Sequence, residues 1–241
     1  MKFEARTLSI LIPVYNEEAT IWQILGKIIQ SPFPEGLEKE IILIDDASKD
    51  QSADLIRRFI AENLELNISC ILHSRNQGKG VCIRDGIQQA KGEIILIQDA
   101  DLEYDPRDYP ELLAPILDGY ADVVFGSRFV GSKAHRVLFF WHYLGNRFLT
   151  FLSNLCTNLN LTDMECGFKV FKSELIRPIR LREKGFGFEP EVTAKISRIP
   201  QIRIYEVGVA YYGRTYLEGK KVNWKDGIWA IYCILRYNWG R

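Results

Sequence analysis

Neither sign of charge prevails in this sequence of 241 residues, where 31 Lys and Arg stand against 31 Asp and Glu. A global basic field of the kind that draws a domain onto DNA or RNA is therefore missing, and nucleic acid is not an expected partner. The five cysteines form no CxxC pair, and their odd number excludes a full disulfide framework, which fits a reducing, cytoplasmic setting. The three histidines lack metal-ligand spacing, and no GxSxG or Cys/His pattern points to a covalent nucleophile. No stretch approaches the roughly 20 apolar residues of a membrane span, and the first residues do not read as a signal peptide. Any meeting with a membrane is expected from its surface, at the inner face. Repeats, low-complexity tracts and Pro/Ser-rich linkers are also missing. What remains is 47% hydrophobic and 26% charged, the make-up of a globule with one large core, expected as a single domain over 1–241.

The first half alternates compact apolar runs with longer periodic ones, which predicts βαβ units around a mostly parallel, buried sheet flanked by helices, an α/β fold. Strands are expected at Leu8 to Val14, Glu40 to Ile44, Ile68 to His73, Ile94 to Gln98 and Val123 to Ser127. Helices are expected near Glu18 to Gln30, Ser52 to Asn63, Gly80 to Ala90 and Asp108 to Asp118. Further on, Trp141, Leu144, Phe148, Phe151, Leu152, Leu155 and Leu159 recur at helical spacing. Short strands follow around Phe168 to Phe171 and Arg203 to Val209, then a second aromatic-rich helix from Trp224 to Trp239. The greater part of both aromatic helices is expected in the core. Yet Trp224, Trp229, Tyr232 and Trp239 stand among Lys220, Lys221, Lys225, Arg236 and Arg241, a mixture that suits a bilayer interface.

In open α/β sheets ligands sit at the carboxyl ends of the strands, so the residues after each strand form one candidate site. Asp99 and Asp101 flank Ala100 after a very apolar strand, with Glu103 two residues on. Alternating acidic oxygens suit Mg²⁺ or Mn²⁺ bound together with substrate phosphates, although a short acidic run also terminates strands and caps helices. Asp45 and Asp46, next to Ile44, can accept from a nucleobase or ribose, or cap the following helix. Tyr15 and Glu17 after strand one can stack on and hydrogen-bond the same base, or else serve as a core residue and an N-terminal helix charge. Arg75 to Gly80, with Lys79, opens a helix without Walker spacing and can face phosphate or serve as a tight turn. Arg128, Arg214, Lys220 and Lys221 can close over a diphosphate, the last three on a Gly- and Tyr-bearing stretch with the look of a lid.

Taken in order, Pro13-Val14-Tyr15-Asn16-Glu17, Asp45-Asp46-Ala47-Ser48, Gly78-Lys79-Gly80, Asp99-Ala100-Asp101 and Gly126-Ser127-Arg128 resemble family 2 inverting glycosyltransferases of the GT-A fold. Thr162 to Lys169 and Arg214 to Lys220 resemble the dolichol-phosphate mannose synthase branch and its bacterial relatives acting on polyprenyl phosphates. The resemblance implies a nucleotide-diphosphate sugar donor (GDP- or UDP-hexose), a Mg²⁺ or Mn²⁺ ion, and a dolichyl- or undecaprenyl-type lipid-phosphate acceptor met peripherally at the membrane. It implies Pro13, Tyr15, Glu17, Ile44 and Asp46 around the base and ribose, Lys79, Asp99, Ala100, Asp101 and Glu103 at the diphosphate and metal, and Arg128, Arg214 and Lys220 at donor and acceptor phosphates. Residues 1–128 become the donor-binding half and 129–241 the acceptor and lid half. A phosphate acceptor needs no general base; for a hydroxyl acceptor, in a saccharide for instance, Asp163 is the candidate by resemblance, or else a helix cap. Two positions depart from the mannose synthases, Glu103 for their usual Gln and Gly219 for the Ser before the lysine, and both bear on the donor's identity. A sugar-1-phosphate nucleotidyltransferase would show a Gly-rich, basic loop where this sequence reads Val14-Tyr15-Asn16-Glu17, and a non-catalytic binding module would have no need of Asp99 and Asp101.

Overall fold

A computed structural model describes residues 3–137, 139–215, 218, 219, 221 and 224–239. The strands are β1 (Thr7–Val14), β2 (Glu38–Asp45), β3 (Ile68–Leu72), β4 (Ile94–Ile97), β5 (Val123–Ser127), β6 (Lys169–Lys172) and β7 (Ile204–Gly208); the apolar runs of β1, β2, β4 and β5 are buried on both faces, whereas the edge strands β3 and β7 are only partly buried. They join in one sheet of order β3-β2-β1-β4-β6-β5-β7. Neighbours pair parallel except β6, which runs antiparallel to both β4 and β5. The reversal of β6 places the segment before it at the edge where the parallel strands end, because Lys169 at its start pairs with Ile97 at the end of β4.

The helices are α1 (Ile21–Gln30), α2 (Ser52–Glu62), α3 (Lys79–Gln89), α4 (Tyr109–Leu117), α5 (Phe140–Thr157), α6 (Ser173–Ile176), α7 (Phe188–Ile196) and α8 (Trp224–Trp239). Alternation along the strands splits the core into two layers. Leu8, Ile10, Ile12 and Val14 of β1 meet Ile24 and Ile28 of α1, Phe59 of α2 and Leu112 and Ile116 of α4 on one face. Leu11, Ile42, Ile44, Ile95 and Ile97 meet Ile83 of α3, Phe188 and Val192 of α7 and Ile234 of α8 on the other.

The strands and the first-half helices lie within a few residues of their expected bounds. The helix α7, which the sequence did not reveal, has no clean apolar period because its acids are buried in use. Glu191 is fully buried and accepts from the backbone N–H groups of Arg182 and Glu183 and from Lys195. The aromatic helices overturn the expectation of a mostly buried stripe. In α5 the fully buried positions are Thr150 and Ser153, while Trp141 is 77% and Leu155 71% exposed. The helix turns its small polar face inward because that face does bonding work: Thr150 Oγ1 accepts from the N–H of Met164, and Asn154 bonds both the carbonyl and the N–H of Leu161. α8 buries Ala230, Cys233, Ile234 and Tyr237 and leaves Trp224, Ile228 and Trp239 outward. No described helix is long and apolar enough to cross a membrane.

Phe168, fully buried just before β6, packs its ring against Tyr104 and Tyr109 and locks the reversed strand to the 99–109 segment. Phe168→Ala is expected to lower unfolding free energy by about 3–5 kcal/mol, as read from the urea midpoint.

Candidate active site

The chain bends sharply beyond three strand ends, where Asn16, Ala47 and Leu102 take left-handed conformations with φ of 51°, 57° and 64°. Such backbone is costly for residues other than glycine and recurs at functional sites. Around these bends lies a cavity of about 1120 Å³, lined by Pro13, Tyr15, Glu17, Asp46, Lys79, Asp99, Ala100, Asp101, Glu103, Arg128 and Arg214 among others. Most of the expected residues thus meet. Ile44 does not: it is fully buried in the core, facing Gly86 of α3, because alternation in β2 turns it away from the cavity. Asp163 does not line the cavity either, and Lys220 lies outside the described residues.

At one end, Asp46 is almost fully buried and its oxygens accept from the N–H groups of Gln77 (2.9 Å) and Gly78 (2.6 Å) and pair with His73 Nδ1 (2.8 Å). It shapes the 76–79 loop, so little accepting capacity is left for a base edge. Gly78 is required there, having φ of 96° and a backbone that passes so close to Lys184 that a Cβ would sit 2.4 Å from its carbonyl oxygen. Asp46, His73 and Cys82 are also a group whose donor atoms lie within 4.8 Å of one another. The hydrogen bonds that take up Asp46 make this group a support for the 76–79 loop.

At the middle, Lys79 Nζ bridges Asp99 (2.8 Å) and Glu189 (3.1 Å). Burial works against this ammonium, but the two carboxylates outweigh it and push its pKa up. The Asp99 carboxylate fits because residue 167 is glycine: a Cβ there would come within 2.1 Å of Oδ2. Asp101 is pushed up to about 7 by burial first and then by Glu103 and Asp99, with Arg214 opposing. Arg214 spans Asp101 (3.1 Å) and Glu17 (3.1 Å), and Lys221 adds a second cation on Glu17 at 2.6 Å.

The expected trio of Asp99, Asp101 and Glu103 is not gathered as one ligand set. Glu103 lines the cavity but is already engaged, accepting from the backbone N–H of Arg214 (2.7 Å) and from the Tyr211 hydroxyl (3.0 Å), so it anchors the 211–214 segment. Arg128 forms a two-pronged pair with Asp163 (Nε–Oδ2 2.6 Å, Nη2–Oδ1 2.7 Å) and lies over the Tyr211 ring. Asp163 is fully buried and also receives the Arg128 N–H at 3.0 Å. The cavity wall beyond is made by Trp141, His142, Asn146 and Leu149 of α5 and by Trp224 and Ala230 of α8. Sequence reasoning missed Tyr211, Glu165 and Glu189, which also line the cavity. Only the nearness of Glu165 and Tyr211 in the chain to motifs already singled out could have flagged two of them.

The model of the family described as glycosyl transferase family 2 matches residues 9–180. The undecaprenyl-phosphate 4-deoxy-4-formamido-L-arabinose transferase of Proteus mirabilis is 30% identical over 214 residues, 88% of this chain and 62% of that protein. The dodecaprenyl-phosphate galacturonate synthase of Rhizobium johnstonii is 26% identical, over 87% of this chain and 60% of that one. The chain thus spans about three fifths of the length of these curated relatives. A glucosyl-3-phosphoglycerate synthase from Mycobacterium tuberculosis, solved with Mn²⁺, uridine diphosphate and glucosyl-3-phosphoglycerate, has a TM-score of 0.73 at 20% identity, covering 97% of this chain and 80% of that one. The fold is the expected GT-A fold.

Glu165 carries the pH signature of this cavity, since burial first and Glu189 next push its carboxyl up to about 8 from an ordinary 4.5. A carboxyl raised on folding holds its proton more tightly in the folded state, so its contribution to stability falls as pH climbs from the lower value to the higher and is flat above. Between about pH 5 and 8 the melting temperature of the wild type is expected to fall more steeply than that of Glu165→Gln, and above about 8.5 the two curves are expected to run parallel.

Proposed function

The chain belongs to glycosyl transferase family 2, and on that premise we propose that it moves a hexose from a nucleoside diphosphate sugar to a polyprenyl phosphate at a membrane surface. The observation that carries this reading is the continuity of one cavity with two chemistries. Its floor holds Asp99, Asp101, Arg128 and Arg214, and its wall is built by α5 and α8, whose outer faces expose Phe148, Phe151, Leu155 and Trp229. A lipid phosphate has the same two parts, an anionic head for the cations and an apolar tail for the helix faces. The relatives named for undecaprenyl- and dodecaprenyl-phosphate transfer support the acceptor class.

In this reading residues 1–128 bind the donor's nucleotide and metal, and 129–241 supply the acceptor side and the cations that close over the diphosphate. Pro13 and Tyr15 face the base, with Glu17 and Asp46 holding the surrounding loops. Asp99 and Asp101 suit a divalent cation, Mg²⁺ or Mn²⁺: both offer hard oxygens at the edge of one cavity. When bound, such an ion neutralises charge on a diphosphate leaving group. Arg214 is within reach of the same oxygens and donates to the diphosphate as its charge grows, with Lys220 assigned beside it by family resemblance. Arg128, held rigid by Asp163 and Tyr211, presents its guanidinium to the acceptor phosphate.

The acceptor oxygen attacks the anomeric carbon opposite the departing diphosphate, and the configuration inverts. Both Asp163 oxygens are bound by Arg128, which argues against a general-base role and favours an acceptor that is already anionic, a phosphate over a hydroxyl.

Incubated with Mn²⁺, UDP- or GDP-hexoses and vesicles carrying a short polyprenyl phosphate, the protein is expected to release nucleoside diphosphate. Asp101→Ala and Arg214→Ala are each expected to slow turnover by about 10²–10³-fold. Release of pyrophosphate, or no turnover with any donor, would overturn the reading. The double variant Phe151→Ser/Leu155→Ser, at exposed positions outside the cavity lining, is expected to weaken sedimentation with anionic vesicles several-fold while leaving nucleotide binding unchanged.

A further inference from the structure

Two carboxyl groups in the cavity take no part in the scheme above. Glu189, in the first turn of α7, is 3% exposed; its Oε1 meets Lys79 at 3.1 Å and its Oε2 has no hydrogen-bond partner. Glu165, in the segment leading into β6, has a buried Oε1 without a partner. Four buried side-chain atoms among the described residues lack hydrogen-bond partners; the Glu165 and Glu189 oxygens belong to residues lining this cavity, and so does Arg214 Nε, which keeps only a 3.8 Å ion pair with Glu103. Buried polar atoms are ordinarily satisfied, because leaving one unpaired costs its full desolvation, so orphans gathered in one pocket point to a ligand that pairs them.

The surroundings narrow the chemistry of that ligand. The nearby ammonium of Lys169 is fully buried and spent on the carbonyls of Met164 (3.1 Å) and Cys166 (2.5 Å). The unpaired Glu189 oxygen repels a phosphate. What Glu165 and Glu189 can pair is a neutral group rich in O–H donors. Its place is set by Lys79, whose one nitrogen touches both Asp99 and Glu189, so Glu189 lies one lysine away from the carboxylate at the diphosphate position.

We propose that Glu165 and Glu189 form the subsite for the donor's sugar, each taking a hydrogen bond from a ring hydroxyl and so selecting which sugar is transferred. This rests on the donor-site reading above. With its raised pKa, Glu165 keeps a proton at neutral pH, and can donate to one hydroxyl oxygen while accepting from another hydroxyl. The pair then reads the arrangement of hydroxyls, since an epimer or deoxy sugar leaves one buried oxygen unpaired.

The test is calorimetric binding in the presence of Mn²⁺, comparing UDP with UDP-glucose and GDP with GDP-mannose, on the wild type, Glu165→Ala, Glu165→Gln and Glu189→Ala. The quantity read is the affinity ratio of nucleotide sugar to bare nucleoside diphosphate. Glu165→Ala and Glu189→Ala are expected to lower this ratio about tenfold with the diphosphate's own affinity little changed, and Glu165→Gln, which keeps a donor and an acceptor, to restore most of it. A deoxy analogue lacking the hydroxyl that Glu165 reads is expected to lose affinity for the wild type and none for Glu165→Ala, whereas one lacking the hydroxyl that Glu189 reads is expected to lose affinity for both. An unchanged ratio in both alanine variants, with the diphosphate still bound, would overturn the subsite and leave the donor site standing. A wild type that binds no nucleoside diphosphate would overturn both. Should Glu189→Ala fail to fold, the two Glu165 variants decide alone.

Discussion

Mutual repulsion among carboxylates gathered at one edge of an apolar sheet is the constraint around which this molecule is arranged. Glu17, Asp46, Asp99, Asp101, Glu103 and Glu189 all reach one cavity, yet they come from segments far apart in the chain. Holding so many like charges together in a partly buried space is unfavourable unless each is met by a cation or by N–H donors. The later part of the chain supplies the answer: Arg214 and Lys221 come back to Glu17 and Asp101, and Tyr211 and the Arg214 backbone come back to Glu103. Lys79 serves the same end from within the first half. The return of Tyr211, Arg214 and Lys221 to the strand ends is therefore an electrostatic necessity as much as a matter of connection.

The same bonds separate groups that are locked from groups that are left available. Asp163 and Asp46 are saturated and act as rigid mounts, one for Arg128 and one for the 76–79 loop. Glu165 and Glu189 carry oxygens that the protein leaves unpaired. The division between mounts and available groups is what a site needs if its reacting parts are to be held in place without being used up by the holding.

The reversed strand β6 ties the polar site to the apolar surface. Running against its neighbours, it delivers Asp163, Glu165 and Gly167 to the strand ends, while Phe168 enters the core behind them. The bond between Met164 and Thr150 then fixes α5 with its small polar side inward and its aromatic side outward. A polar demand at the site thus leaves a hydrophobic face beside the cavity mouth, where an acceptor with an apolar tail would need one.

Strand-forming apolar runs and the acids that follow them were legible in the sequence because both are local: period and burial select the strand, and the first polar residues after it must lie at the sheet edge. Ile44 shows the limit of that rule, since being near a strand end does not decide which face a side chain takes. The sequence could not tell that Glu103 pairs with Tyr211 or that Asp163 is consumed by Arg128, because these partners lie 108 and 35 residues away and no periodicity links them. Nor could it tell the outward face of α5 from the inward one, since an apolar stripe marks a face that avoids water in either a core or a lipid setting. Sequence by itself determined the α/β order and the acidic strand ends through short-range sterics and hydrophobic period. Only tertiary structure decided which carboxyl groups are spent and which are left for a ligand, because that depends on charges brought together from opposite ends of the chain.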